Sequence, residues 1–464
     1  MDIENDKGRK MPMLTRDKAF YRSFVALSVA LMVEQAVILS VNLADNLMLG
    51  TYSEASLSGV AAVNQIQFVL QQVVYGVSNG MIVLGSQYWG QKRVGEIRKL
   101  AAIGAWVATA ITTALFIAVS LFPQGALRLF TTDPAIAREG VAYLNIMRFS
   151  YVFFGLTTVM LGAMRIAETV NIALKVSLVS LVVNISINYL LIFGNLGCPE
   201  LGVRGAAIGT LTARVVEFII VGWYLFRREK KLEMKPRDFL RLDAAMLGDY
   251  VRVSASIILA ALVWGVSNAV QTVILGHMDR SAIAAQSISS TLYQLLKVTS
   301  VGGASAASIL IGKTVGAGEL DKVREYTRTL QVLFLIIGAT LAALFAAIGF
   351  PLLGIYNISD ETRAMARAFI GIQTLTMFTM SYQMPVNAGI IRGGGDTKFI
   401  LIVDMVSILG IVIPLALLAA FVWRWPPVAV TFVLNSDQIF KCVPAFIRVN
   451  GYKWIKRLTR PETA

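Results

Sequence analysis

The sequence has few of the residues that metal sites, disulfide frameworks and soluble surfaces need. Its 464 residues include one histidine and two cysteines, and 15% of them are charged, whereas soluble domains carry roughly 25%. One histidine cannot build a metal cluster. Cys198 and Cys442 fall in regions predicted to lie at different depths of a membrane, so we expect no disulfide between them. The shortage of charge excludes an ordinary soluble protein.

Motifs for catalysis and for nucleotide binding are incomplete. The Gly-Lys-Thr run 312–314 looks like the end of a phosphate-binding loop, but Ala307 stands where that loop needs a glycine. The three glycines 393–395 indicate a break in a helix rather than a dinucleotide-binding turn. The sequence has no HExxH pattern and no catalytic triad. We therefore expect neither an enzyme nor a bound cofactor, and any transport must use an ion gradient.

Long apolar stretches dominate the chain, with 56% hydrophobic residues and a mean hydropathy of +0.66. A helix of about 20 apolar residues spans a bilayer. Twelve such spans fit the sequence, at about residues 24–49, 57–86, 99–122, 140–162, 172–194, 204–226, 250–275, 281–311, 328–352, 364–390, 399–421 and 427–447. The polar start resembles no removable signal peptide, so the first span should remain as an anchor. These features predict an all-α integral membrane protein, surrounded by lipid bilayer.

Positive charge alternates between the loops. Lysine and arginine gather in both termini and in the loops after even-numbered spans, most densely in residues 227–248, and the opposite loops hold few. Because cytoplasmic loops of membrane proteins carry this excess, both termini are predicted to be cytoplasmic. The same rule accounts for the net charge of +14 without nucleic-acid binding.

The chain repeats itself after 226 residues. This shift places Asn42 on Asn268 and Gly76 on Gly302. Each half therefore has six spans, with the same orientation in both halves. In transporters built this way the binding site lies between the halves. The predicted segments are a cytoplasmic N-terminal segment (1–23), an N-lobe (24–226), a basic cytoplasmic linker (227–248), a C-lobe (249–447) and a basic cytoplasmic tail (448–464).

Matching polar stripes on the second and eighth spans predict a substrate cavity between the lobes. The stripe residues are Asn64, Gln67, Phe68, Gln71 and Tyr75, with Gln286, Tyr293 and Lys297. Helical spacing puts each set on one face. Lys297 is predicted near mid-bilayer, where an ammonium group needs water or an acid nearby. The alternative interpretation is that the stripes only hydrogen-bond helices to one another.

Two acids, Glu34 and Asp45, share one face of the first span. A carboxylate inside a membrane is costly and by default faces a wet interior, so this pair is a candidate site for a proton or another cation. The alternative is structural, with each acid paired to an arginine or hydrogen-bonded to a neighbouring helix. A sodium ion at Asp45 stays open beside a proton.

The other intramembrane charges are predicted to be structural. Arg214 and Glu217 stand three residues apart on the sixth span, and Lys441 follows Asp437 by four residues, so each pair should satisfy itself. Asp404 is expected to meet Lys398 or Arg392 at the cytoplasmic end.

Four motifs resemble those of the multidrug and toxic compound extrusion (MATE) transporters. They are Asp-Asn-Leu-Met-Leu-Gly at 45–50, Gly-Ser-Gln-Tyr-Trp-Gly at 85–90, Ile-Arg-Gly-Gly-Gly-Asp-Thr at 391–397 and Gly-Tyr-Lys-Trp at 451–454. The chain is similar to this family over nearly its whole length, and closest to its prokaryotic, DNA-damage-inducible-type branch. The resemblance implies two pseudo-symmetric six-helix lobes and alternating access. It also implies secondary export of amphipathic organic cations in exchange for H+ or Na+ across the cell inner (plasma) membrane. We expect the protein to be a monomer.

The resemblance also suggests ion-coupling residues. The first-span acid of the prokaryotic members corresponds to Asp45, and a fifth-span Asn–Asp pair corresponds here to Asn184 and Asn188, so one charge is missing. Our hypothesis is that Glu34 replaces it as a second group that binds and releases a proton. Ala30 stands where the family usually has a proline, which leaves bending of the first span at a proline in doubt.

The alternative function is a flippase or exporter of anionic or lipid-linked substrates in the same superfamily. A buried ammonium at Lys297 would repel a cationic compound and favour an anionic or zwitterionic one. A receptor or channel is a further alternative, which the internal repeat and the buried acids disfavour. The identity of the substrate does not follow from the sequence.

Overall fold

The computed structural model describes residues 14–461 except residues 129, 132, 241, 279 and 357. Parts of the predicted N-terminal segment (1–13), linker (241) and tail (462–464) therefore lie outside the described residues. Within the described residues the regular secondary structure is helical throughout, without a strand.

The described residues form twelve successive helices in two sets of six, of which nine, or ten with the bent fourth helix, are long and apolar enough to span a membrane. The first half contains α1 (Lys18–Tyr52), α2 (Glu54–Gly90), α3 (Val94–Leu121), α4 (Pro134–Met147 and Ser150–Ile166), α5 (Asn171–Phe193) and α6 (Val203–Arg227). The second half contains α7 (Ala244–Met278), α8 (Arg280–Gly316), α9 (Leu320–Leu352), α10 (Asp360–Pro385, continued by a π-helical segment Val386–Ile391), α11 (Thr397–Asp404, with π-helical and α-helical segments to Val422) and α12 (Pro427–Asn435, Asp437–Phe440 and Cys442–Asn450). The predicted all-α class with twelve helices is confirmed.

Some helix bounds differ from the sequence estimates. The first helix begins at Lys18, inside the predicted N-terminal segment, because Asp17 caps it by accepting hydrogen bonds from the backbone of Ala19 and Phe20. The seventh helix begins at Ala244, inside the predicted linker. The two pieces of α4 meet at 53°, so that span is broken near its middle. The proposed lobe boundaries remain predictions.

The two halves pack through positions that the sequence repeat makes equivalent. Gly76 of α2 lies against Ile258 of α7, and Gly302 of α8 lies against Met32 of α1. A shift of 226 residues relates Gly76 to Gly302 and Met32 to Ile258. A Cβ atom at either glycine would collide with the facing helix, so these glycines allow the helices to approach closely. The internal repeat of the sequence therefore corresponds to a pseudo-twofold relation between the halves.

The same symmetry holds at the end of the bundle where the described termini lie. Gly90 of α2 meets the backbone of Lys313, and Gly316 of α8 meets the backbone of Gln87. The segment 451–461 then crosses both halves: Gln87 Nε2 donates to Lys456 O at 3.0 Å, and Lys456 N donates to Gly394 O at 2.8 Å. These contacts hold the two halves together at this end.

Candidate ion-coupling and substrate site

The Asp45 carboxylate of α1 is held by an amide ladder on the neighbouring helices. Asn188 Nδ2 donates to Asp45 Oδ1 at 2.5 Å, and also to Asn184 Oδ1 at 3.4 Å. Asn184 Nδ2 donates in turn to Thr210 Oγ1 at 3.3 Å. Both asparagines are fully buried. Three of the four predicted ion-coupling residues, Asp45, Asn184 and Asn188, therefore lie together between α1, α5 and α6.

Local sequence explains this ladder. Asn184 and Asn188 are four residues apart and so occupy one face of α5. Gly209 of α6 faces Asn188 closely, and a Cβ there would collide with the amide oxygen. The Oδ1 atom of Asn188 is buried and accepts no hydrogen bond from the described residues. An unpartnered buried acceptor beside a carboxylate is a ready partner for a proton held on Asp45 or for a bound cation.

Glu34 lies elsewhere, about three turns back along α1. Its buried carboxylate forms an ion pair with Arg165 near the end of α4. The structure therefore brings Glu34 to an arginine rather than to the amides around Asp45. This geometry favours the structural interpretation of Glu34 over a second titrating role, and the role itself stays a prediction.

Arg214 and Glu217 form the predicted pair on α6, with Arg214 Nη1 and Glu217 Oε2 2.8 Å apart. The Arg214 guanidinium also lies 5.1 Å from the centre of the Phe154 ring. A cavity of the first half passes this pair, lined by residues that include Asn42, Ser180, Asn184, Thr210, Arg214 and Glu217. Of the predicted ion-coupling residues, Asn184 lines this cavity together with the Arg214–Glu217 ion pair.

The N-lobe cluster consists of Glu34, Asp45, Arg165, Arg214 and Glu217. Glu34 interacts electrostatically with Arg165 and Glu217, and Asp45 with Arg214. Three acids and two arginines leave the cluster one negative charge in excess when all are ionised. In a low-dielectric interior such an excess favours uptake of one cation.

The predicted substrate residues do not form one group. Phe68 of α2 faces Trp264 of α7, with ring centres 6.1 Å apart, and Lys297 Nζ of α8 lies 4.4 Å from the centre of the Trp264 ring. Trp264 therefore joins Phe68 and Lys297 across the two halves. A cation over an aromatic face is stabilised by the ring quadrupole, which meets part of the need of Lys297 for a partner.

The other predicted cavity residues lie in different surroundings. Tyr75 packs edge-on against Phe154, with ring centres 5.8 Å apart, and so faces the interior of the first half. Tyr293 donates to Met380 Sδ at 3.3 Å, inside the second half. The remaining stripe residues are half-buried: Asn64, Gln67, Gln71 and Gln286. Their part in a cavity stays a prediction.

The second half has a charge group of its own, the C-lobe cluster of buried Asp437 and Lys441 with half-buried Lys297 and Asp404. Lys441 Nζ lies 2.8 Å from Asp404 Oδ1 and 3.0 Å from Asp437 Oδ2, and its side chain is 4% exposed. The predicted pairing of Asp437 with Lys441 is confirmed. Lys297 interacts electrostatically with Asp437.

The expected pairing of Asp404 with Lys398 or Arg392 is wrong. Asp404 is half-buried and faces α12, where the ammonium of the buried Lys441 neutralises its carboxylate. Helical spacing along α11 alone does not reveal this partner, because Lys441 is 37 residues away.

Sequence reasoning missed three residues that shape these sites. Thr210 completes the amide ladder, and its position four residues before Arg214 is the signal that helical spacing offered. Arg165 lies beyond the predicted fourth span (140–162), and its pairing with Glu34 spans 131 residues. Trp264 carries no polar pattern that distinguishes it from a lipid-facing tryptophan.

The described residues do not provide a group of carboxylates that could hold a metal ion. Among the described residues no three His, Cys, Asp or Glu side chains are grouped to hold one. A sodium ion at Asp45 would instead need oxygen ligands such as Asn188 Oδ1 and Thr210 Oγ1, since hard cations prefer oxygen.

Comparison with known proteins gives a consistent result. The family model MatE matches residues 30–190 and 256–418. A probable multidrug resistance protein NorM from Thermotoga maritima is 24% identical over 448 residues, covering 95% of this chain and 94% of that protein. The probable multidrug resistance protein YoeA from Bacillus subtilis is 25% identical over 368 residues, covering 77% and 78%. A crystal structure of MATE in complex with MaL6 has the same fold, with a TM-score of 0.84, 16% identity and coverage of 93% and 96%.

Proposed function

The chain belongs to the MatE family of membrane transporters, and from this premise we propose that it exports amphipathic organic cations by antiport with H+ or Na+. Family membership makes it a multi-pass membrane transporter of small molecules and not an enzyme. Its proposed location is the plasma membrane, with both termini in the cytoplasm, as the positive-inside rule predicts.

The observation that carries the proposal is the half-buried Asp45, whose carboxylate accepts a hydrogen bond from the buried Asn188, within a cluster that has one acid more than it has arginines. A proton or Na+ bound at Asp45 would remove this excess charge. An organic cation that binds against this cluster once the halves have moved apart would remove it as well. Once the ion or the organic cation has neutralised the excess charge, the second cation is attracted less strongly. Binding of one therefore weakens binding of the other, as exchange requires.

Alternating access is supported by where the halves touch. The close glycine contacts extend from the middle of α2, at Gly76, to its end at Gly90, and the segment 451–461 adds further bonds there. If this end is cytoplasmic, the conformation is closed to the cytoplasm. We propose that the ion enters Asp45 from the outside in this state, and that separation of these contacts opens the site inward.

The test is uptake of a fluorescent organic cation into inside-out proteoliposomes under an imposed H+ or Na+ gradient. We expect Asp45→Asn to reduce gradient-driven uptake to the level of empty vesicles, because an amide cannot exchange a proton or neutralise Na+. The gradient that drives the wild type identifies the ion. Glu54→Gln, which removes an exposed acid at the start of α2, is the matched control and should transport normally.

Wild-type uptake that persists in Asp45→Asn would overturn the assignment of Asp45. If wild-type protein that is shown to be folded takes up no organic cation under either gradient, the choice of a cationic substrate is overturned.

A second candidate function, export of anionic or lipid-linked compounds, is favoured by one observation. The Lys297 ammonium lies over the Trp264 ring and interacts electrostatically with Asp437. No carboxylate of the described residues forms an ion pair with it. An anionic group on a substrate would supply the missing partner.

The two candidate functions predict different effects of replacing Lys297. If the substrate is anionic, Lys297→Gln should reduce uptake of an anionic dye about tenfold, and Lys297→Arg should retain it. If the substrate is cationic, Lys297→Gln should leave uptake of a cationic dye unchanged or raise it. Paired uptake of a cationic and an anionic dye of similar size measures both effects in one preparation.

A further inference from the structure

A basic groove lies at the end of the first half that is predicted to be cytoplasmic, where α1 begins, α4 passes to α5, and α6 ends. Its cationic residues are Arg22, Arg228, Lys230 and Lys231, and its wall includes Glu168, Thr169, Asn171 and Glu229. The groove is separate from the cavity beside Asp45, which has other lining residues.

The two carboxylates of the basic groove are bonded to groups other than the four cations of the groove. Glu168 forms an ion pair with Lys313 of α8 and accepts a hydrogen bond from Trp89 Nε1 at 3.3 Å. Glu229 accepts from the backbone of Leu232 at 2.6 Å and is buried. Neither carboxylate forms an ion pair with an arginine or lysine of the groove within the part of the chain that the structure describes.

The four cations, by contrast, are exposed. Lys231 Nζ donates one hydrogen bond to Ala167 O at 2.7 Å, and the Arg228 guanidinium lies 5.6 Å from the centre of the Trp223 ring. Neither contact neutralises charge. The fifth helix also begins on the groove wall, at Asn171, with no side chain capping it, and the N-terminus of a helix favours an anion. Charge complementarity therefore selects an anionic occupant with several oxygen acceptors.

The surroundings indicate that this occupant is a lipid. Apolar side chains next to the groove are exposed in a membrane protein: Val25 and Val29 on α1 are 55% and 49% exposed, and Ile219 and Trp223 on α6 are 59% and 54% exposed. Such faces contact acyl chains. Tryptophan is enriched where the acyl region meets the headgroups, so Trp223 marks the level of the phosphates.

We propose that the basic groove binds the phosphate of an anionic phospholipid, whose acyl chains lie along α1 and α6. Arginine and lysine clusters at a cytoplasmic helix end bind such headgroups through charge-assisted hydrogen bonds to the phosphate oxygens. The bound headgroup lies beside Glu168, which holds Lys313 of the other half. The site therefore adjoins a contact that must separate when the halves move.

The test compares two variants of equal charge change in nanodiscs. Arg22→Gln/Arg228→Gln/Lys230→Gln removes three cations of the groove. Arg237→Gln/Lys398→Gln/Lys453→Gln removes three exposed cations at the same end but outside it. Nanodiscs of phosphatidylcholine receive increasing fractions of phosphatidylglycerol. Native mass spectrometry counts the retained phosphatidylglycerol, and the unfolding midpoint gives a second readout of binding.

We expect the wild type and the control variant to retain phosphatidylglycerol, and the groove variant to bind it at least about tenfold more weakly, since each cation near a membrane surface contributes to anionic-lipid affinity. If the two variants lose equal amounts of phosphatidylglycerol, the lipid is attracted by the general positive charge of the surface, and the assignment of the basic groove is overturned. No loss in either would overturn it too. Stabilisation by inorganic phosphate alone, competing with the lipid, would identify a free-anion site instead. None of these readouts depends on transport, so the inference can fail while the proposed function stands.

Discussion

The two halves balance their buried charges differently. The N-lobe cluster has three acids and two arginines, whereas the C-lobe cluster has two acids and two lysines. A cluster with an unpaired acid can take up a cation, and one with equal numbers of opposite charges has no such need. We therefore expect the two halves to differ in function because their interiors hold different numbers of positive and negative charges.

Geometry strengthens this contrast. In the second half, Lys441 contacts both carboxylates directly and is 4% exposed. In the first half, Asp45 is held by the neutral amide of Asn188 and no described arginine lies within ion-pair distance of it. A neutral donor stabilises a carboxylate without fixing its protonation state as firmly as an ammonium does. We therefore expect the first half to exchange ions and the second half to hold helices together.

The largest expected effect is on the stability of the second half. Lys441→Met should lower the free energy of unfolding by about 3–5 kcal/mol, because Asp404 and Asp437 lose the ammonium that neutralises them. Unfolding in a denaturing detergent measures this loss. The triple variant Lys441→Met/Asp404→Asn/Asp437→Asn, which removes all three charges, should recover much of it. A stable single variant would mean that the C-lobe cluster is not held by charge.

An intermediate effect is expected at Glu34. Glu34→Gln should lower the free energy of unfolding by about 1–3 kcal/mol, because Arg165 loses its charged partner but keeps a hydrogen-bond acceptor. If Glu34 is structural, the pH dependence of gradient-driven uptake should not change. A displaced pH profile would instead restore the hypothesis that Glu34 titrates during transport, and would make the first half a two-acid site.

The smallest effect concerns the contact between the halves at Asp17. The hydroxyl of Tyr326 donates to Asp17 Oδ2 at 2.6 Å, and this hydrogen bond holds the pKa of Asp17 below its usual range. A lowered pKa in the folded state means that the stabilisation is present above the ordinary value of 3.8 and is lost as the pH falls below it. Asp17→Ala should lower the free energy of unfolding by about 1 kcal/mol at neutral pH, because it removes the N-cap of α1.

Tyr326→Phe isolates the hydrogen bond from the cap. It removes only the hydroxyl, so it should cost less than Asp17→Ala and should reduce the acid sensitivity of the unfolding midpoint. An equal loss of stability in the two variants would contradict this assignment, because it would place the whole effect in the contact with α9.

Different features of the site differ in how far they follow from sequence. Helical spacing correctly pairs Arg214 with Glu217, and Asp437 with Lys441, because partners within one turn of a helix are determined locally. The pairings of Asp404 with Lys441, and of Arg165 with Glu34, cross from one helix to another. Nothing in local spacing specifies which faces of two helices meet, so these partners were not predictable from the chain alone.

The twelve apolar helices, the repeat of 226 residues and the presence of acids inside spans follow from the amino-acid sequence, because bilayer thickness and helical periodicity act on local composition. Which partner each of these acids receives depends on how the helices pack. That packing leaves Asp45 with an amide and gives Glu34 and Asp404 their charged partners. The physical reason is that a buried charge is neutralised by whichever opposite charge packing brings within a few ångströms, and packing depends on the whole bundle.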